Sequence, residues 1–196
     1  MPKVEQFNKE TALESALNLF WEKGYNGTSI RDLEAAMHLG KSSIYNTFGD
    51  KDTLFFAALK HYMNGEQARM SSSITTAGSA LNAISEMLNC VICPPKFLGV
   101  NISGCLLVNT VTELASTHPA VRQFVDDAKA SMLHLLKVLI AKAQEQGGIP
   151  ATKNPAELAL YLFSSMQGLK VTGMLVKTPK ELLPIVGVIL KTLTCA

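Results

Sequence analysis

Residues 28–51 read TSIRDLEAAMHLGKSSIYNTFGDK, and the later half of that segment carries side chains suited to a nucleic acid. Lys41, Ser42, Ser43, Asn46 and Thr47 are short or polar, so they can approach base edges and phosphates closely. The Tyr45 hydroxyl can donate to a phosphate. Lys51 falls at the start of a further helix, where its charge and the free backbone N–H groups can both face a phosphate. Two short helices joined by a tight turn make a helix-turn-helix, with the second helix placed to enter a major groove. A polar, solvated helix in an ordinary bundle would show the same spacing, so the pattern alone leaves both readings open.

The other reactive groups give weaker patterns. Cys90 and Cys93 form a C-x-x-C, but no second pair and no flanking histidine completes a tetrahedral metal site. Cys105 lies in an apolar stretch and Cys195 is close to the end of the sequence. Four cysteines in 196 residues with no export pattern read as reduced thiols, small enough to fill space in a core. His38, His61, His118 and His134 are scattered. There is no Walker loop, no Gly-rich dinucleotide turn, no H-E-x-x-H and no G-x-S-x-G. The sequence therefore predicts no enzyme, no cofactor and no bound metal.

The elements that must hold these residues are helical almost throughout. With 47% hydrophobic and 17% charged residues, the chain can bury a core and is not a disordered polymer. No long uncharged apolar run predicts a membrane span, and the opening MPKVEQFNKE lacks the apolar region of a signal peptide, so the expected location is cytoplasmic. Net charge is only +2, and residues 1–60 hold 7 Lys and Arg against 8 Asp and Glu, a net of −1. Nucleic-acid binding would thus rest on local placement of charge, not on bulk charge.

Leu13, Ala16, Leu17, Phe20 and Trp21 draw one apolar stripe, stopped by Gly24, with Gly27 expected to loosen the connection. Thr28 is the expected N-cap of a second helix carrying Ile30, Leu33, Ala36 and Met37. The pattern breaks at His38-Leu39-Gly40. A third helix follows with Ile44, Tyr45 and Phe48, and Asp50 caps a fourth expected over 51–70. Residues 71–79 read as a loop or frayed end. A fifth helix over 80–92 ends at Pro94 and Pro95, and 96–103 reads as a loop. Periodicity does not decide between helix and strand for 105–115; its helical surroundings favour helix. Pro119 opens a long helix ended by Gly147 and Gly148. The last two helices, about 155–176 and 179–194, start from Asn154-Pro155 and Thr178-Pro179, and Pro184 bends the second near its start.

Thr28, Ile30, Asp32, Leu33, Ala36, Leu39, Lys41, Ser43, Ile44, Tyr45, Phe48, Lys51 and Leu54 together resemble the DNA-binding domain of TetR-family transcriptional regulators. The Tyr-x-x-Phe-x-x-Lys run at 45, 48 and 51 is the most specific part, and the likeness covers about residues 8–62. GCLLVNTVTEL with His118-Pro119 resembles a segment of one subgroup. Three residues depart from the pattern. Glu34 stands where a small Ala is usual and must be exposed or paired. His38 stands where Gly is common, and tolerates left-handed backbone better than most residues. Gly40 stands where Ser often caps the recognition helix.

The resemblance implies an all-α fold, with an N-terminal three-helix helix-turn-helix domain over 1–50 and a larger helical effector-binding and dimerisation domain over 51–196. It implies a homodimer on a double-stranded, palindromic operator, most often a repressor released by a small ligand. DNA would be contacted by Thr28, Lys41, Ser42, Ser43, Tyr45, Asn46, Thr47 and Lys51. The last two helices would pair across a two-fold axis, with Leu158, Leu162, Leu169, Leu182, Ile185, Val186, Ile189 and Leu193 as the expected interface. A mostly apolar ligand among the helices of 80–175 would meet Asn109, Glu113 or Gln167, and Cys105 is the expected reactive thiol if the protein senses electrophiles. An activator of the same fold, or a helical ligand-binding or interaction protein that has lost DNA reading, are the alternatives.

Overall fold

A computed structural model describes residues 7–93 and 104–195. The expected chain stop at Pro94 and Pro95, the 96–103 loop and the opening residues 1–6 lie outside them. Among the described residues the chain forms nine α-helices and divides into two compact units, with the boundary between Gly65 and Glu66. No helix among them is long and apolar enough to cross a membrane.

The first unit begins with α1 (Lys9–Lys23), α2 (Ile30–Met37), α3 (Lys41–Phe48) and the start of α4 (Lys51–Thr75). Asn8 starts α1, its side chain accepting the N–H groups of Glu10 and Thr11 at 2.9 and 3.2 Å. Gly24, at φ 75°, ends it by donating to the Phe20 carbonyl. Leu17, Phe20, Leu33, Ile44, Leu54 and Leu59 are buried. Phe20 meets Phe55 edge-on at 5.1 Å, and Trp21 meets Tyr62 edge-on at 5.0 Å. Edge-to-face aromatic contacts at these separations add to the area that the rings bury.

Two expectations for the α1–α2 turn are corrected. Gly27 does not loosen it: a Cβ there would sit 2.3 Å from the Lys23 carbonyl oxygen, so the turn closes only around a residue with no side chain. The N-cap of α2 is Ser29, not Thr28. Ser29 accepts the Asp32 N–H at 3.1 Å while the Asp32 carboxylate accepts the Ser29 N–H at 2.9 Å, a reciprocal capping box. Thr28 lies one residue too early and turns inward instead. The next turn follows the expectation, since His38 takes the left-handed conformation at φ 53°, ψ 37°. Asp50 caps α4 through the Thr53 N–H at 2.8 Å.

The second unit holds the rest of α4 with α5 (Ala80–Ile92), α6 (Leu106–Leu114), α7 (Pro119–Glu145), α8 (Pro155–Thr172) and α9 (Leu183–Thr194). α4 continues to Thr75, so of the expected loop or frayed end over 71–79 the first five residues, Ser71–Thr75, belong to the helix. Residues 105–115 are helical, and α8 stops at Thr172, earlier than expected. Thr178 and Glu181 form a second capping box, but it opens a 3-10 turn over Pro179–Leu182; Pro184 then sits in the first turn of α9. Ile84, Met87 and Leu88 of α5, Leu136 and Ile140 of α7, Leu162, Met166 and Leu169 of α8, and Val186, Ile189 and Leu193 of α9 share one core.

That core corrects the expected dimer interface. Leu162, Leu169, Leu182, Val186, Ile189 and Leu193 are buried within their own chain, and Leu158 is half-buried against the same core. Of the eight, Ile185 alone is exposed. The apolar stripe read from the sequence is the inward face of α8 and α9. Their outward faces carry Leu160 at 57% and Val188 at 62% exposure, with Val171 and Leu183 also exposed.

Candidate nucleic-acid interface

α3 is an eight-residue helix with two distinct sides. Ile44 and Phe48, four residues apart, are buried and hold it against the first unit's core. Lys41, Ser42, Ser43, Tyr45 and Asn46 are exposed, and Thr47 is half-buried. Five of the six polar side chains expected on this helix thus share the solvent side, with Thr47 at its margin. Tyr45 leaves 38% of its surface open, and the Lys41 ammonium lies 5.7 Å from the centre of its ring.

Lys51 is half-buried, with its ammonium 4.1 Å from the centre of the Tyr25 ring. At that range the cation meets the negative face of the ring. The Tyr25 hydroxyl donates to the Asp52 carboxylate, and the ring meets Phe55 edge-on at 5.1 Å. Burial first, then the Asp52 hydrogen bond and the charges of Asp52 and Asp50, push the Tyr25 phenol up to about 12. Tyr25 therefore keeps its proton on the phenol oxygen, donated to Asp52, across the physiological range. Asp50 is held below the usual carboxylate range by the N–H and hydroxyl of Thr53, so it remains an ionised cap.

Thr28 does not join this surface. It is 1% exposed, and its hydroxyl donates to the Gly24 carbonyl at 2.6 Å. Its side chain ties the α1–α2 turn together, while the neighbouring Ser29 is the exposed residue at that corner. The sequence reading missed two contributors: Tyr25 as the seat of Lys51 and Ser29 as the cap. The Ser29-x-x-Asp32 spacing was a readable signal for the cap.

An exposed polar helix set behind a left-handed turn is the arrangement a major groove accepts. Comparison with known proteins decides between that and a plain bundle. Residues 12–58 match the family described as "Bacterial regulatory proteins, tetR family", and residues 100–183 match "Tetracyclin repressor-like, C-terminal domain". The chain belongs to the TetR family of transcriptional regulators. It is similar to the HTH-type transcriptional repressor ComR of Escherichia coli (strain K12), 26% identical over 195 residues, 97% of this chain and 90% of that one. It is also 26% identical to the repressor DhaR of Mycobacterium sp. (strain GP1), over 82% of this chain and 79% of that one. Among solved structures, a cysteine mutant of the TetR family regulator CifR in complex with 26bp double-strand operator DNA superposes with a TM-score of 0.83. That match has 27% identity and covers 95% of this chain and 97% of the other.

In this TetR-family chain the ligand candidates fall on two helices of the second unit. Cys105 is the N-cap residue of α6 and is buried. Asn109 and Glu113 follow at four-residue intervals, one above the other on α6, and are half-buried. Gln167 is half-buried on α8. One residue outside the expected set joins them: Lys170, a turn beyond Gln167, donates its Nζ–H to the Cys105 Sγ at 3.4 Å. Cys90 approaches the Ser73 hydroxyl at 3.0 Å, and Arg69 donates to the backbone carbonyls of both Cys90 and Cys93. Among the described residues no group of three or more His, Cys, Asp or Glu side chains could hold a metal ion.

Proposed function

We propose that this TetR-family regulator is a repressor which binds a near-palindromic operator as a homodimer and leaves it when a small, mostly apolar ligand binds the second unit. The observation that carries the DNA half of this reading is the exposed row Lys41, Ser42, Ser43, Tyr45 and Asn46 on a helix anchored by buried Ile44 and Phe48. Lys41, Ser43 and Asn46 reach base edges, Tyr45 and Lys51 hold phosphates, and Ser42 and Thr47 flank them. ComR and DhaR are named repressors, which supports this direction of control, and the CifR mutant carries operator DNA, which supports the binding itself.

The outward faces of α8 and α9 supply the dimer half. Leu160, Val171, Leu183, Ile185 and Val188 are apolar, exposed and spread over two helices whose inner faces are already satisfied by their own core. A second copy related by a two-fold axis would cover them. Two copies of α3 would then reach half-sites about 34–36 Å apart, or a multiple of that. Release follows from linkage: a ligand that favours another separation of the two reading helices weakens DNA binding by its differential affinity for the two states. α4 begins beside the reading helix at Lys51 and continues to Thr75 among the second unit's residues, so it is the element a ligand would have to move.

Binding of Tyr45→Ala and Lys51→Ala to a selected operator tests the docking. Both should bind it more weakly while remaining folded and dimeric. Unchanged affinity in both would remove α3 and the start of α4 from the interface.

A further inference from the structure

We infer that Glu34 is the positioning residue of the reading helix, a cap lent by α2 to α3. Gly40, the N-cap residue of α3, has no side chain, and no side-chain cap hydrogen bond is made there. The first turn of an α-helix has N–H groups with no partner inside the helix. Here the Lys41 N–H, the first of them, donates to the Glu34 Oε1 at 2.6 Å. A carboxylate at that end also answers the positive pole of the helix.

Glu34 works on the other side of the turn as well. Its backbone carbonyl accepts the N–H of His38, the left-handed residue that closes α2, and the N–H of Leu39 at 3.2 Å. One residue therefore holds the end of α2 by its backbone and the start of α3 by its side chain, seven positions apart. The angle between the two helices, and with it the placing of Lys41 and Ser43, depends on that double hold. Glu34 and Gly40, two of the three departures from the family pattern, thus act together: with no side-chain cap at position 40, the first turn of α3 is held from position 34, at the Lys41 N–H.

The test removes the Glu34 hold and offers α3 a local cap in its place. Gly40 has an extended backbone at φ −71°, ψ 153°, and a Cβ placed there meets nothing within 4 Å, so Gly40→Ser fits without strain. Glu34→Ala should bind a selected operator about fivefold more weakly, the equilibrium equivalent of losing a typical helix cap. Glu34→Gln keeps an acceptor oxygen and should bind close to the parent. Glu34→Ala with Gly40→Ser gives α3 a local cap, since a hydroxyl at position 40 accepts the N–H of Ser42 or Ser43, but it leaves the Lys41 N–H and the link to α2 open, so operator binding should stay weak. Amide hydrogen exchange gives a second readout that needs no DNA: the Lys41 N–H should exchange faster in Glu34→Ala than in the parent. The operator arm rests on the proposed DNA reading, whereas the exchange arm stands without it. Unchanged Lys41 exchange in Glu34→Ala would overturn the cap. Faster exchange with unchanged operator affinity, or full recovery of affinity in the double variant, would overturn the positioning role.

Discussion

Lys51 owes its place to Tyr25. The ring lies under the ammonium at 4.1 Å, and the phenol is itself fixed by donating to Asp52. A lysine held in this way loses less side-chain freedom on meeting a phosphate than a free one. Tyr25→Phe keeps the ring and should leave operator affinity within about twofold, whereas Tyr25→Leu removes the cation's seat and should weaken binding. The effect of Tyr25→Leu should vanish in a Lys51→Ala background, and titrations of the four proteins check this coupling. Lys51→Ala should also make the salt dependence shallower by about one unit. The alkaline limb of stability is a separate check on Tyr25. Its folded phenol titrates at about 12 against an ordinary 10, so the folded state holds a proton that the unfolded state releases first. That contribution is complete below about pH 10 and lost as pH rises toward about 12. Thermal melts across this range should fall more steeply for the parent than for Tyr25→Phe.

At the scale of elements, the turns decide more than the helices. Gly27→Ala should destabilise the first unit by more than a typical surface change, because its Cβ meets a backbone oxygen at 2.3 Å, which cannot rotate away. Asn8→Ala should cost about 1 kcal/mol through the lost cap of α1. Thermal or denaturant unfolding checks both. Helix positions were legible in the sequence because 3.6-residue periodicity and Gly or Pro stops are local signals; α5 over Ala80–Ile92 and the start of α7 at Pro119 follow them closely. Ser71–Thr75 was not, because weak helix formers there continue α4 against their own propensity, and packing beside Met70 outweighs it. The polar face of α3 was legible for the same periodic reason. The hold of Glu34 on Lys41 and the seat of Lys51 on Tyr25 were not, since each joins residues from different helices.

For the whole molecule, the inward and outward faces of α8 and α9 set the proposed assembly. Apolar periodicity marked the helices but not which side a second copy would cover, because the strongest stripe fills the chain's own core. Leu160→Glu combined with Val188→Glu should convert a dimer into a folded monomer, measured by sedimentation and circular dichroism. Leu193→Glu should unfold the second unit instead, since that side chain is fully buried. The central claim is that two such chains read one inverted repeat. Selection of DNA fragments from a random pool by the purified protein at physiological salt, followed by sequencing, tests it most directly. The account predicts an enriched inverted repeat with half-sites one helical turn, or a multiple of it, apart. A well-folded dimer, free of any bound small molecule, that enriches no sequence would contradict it.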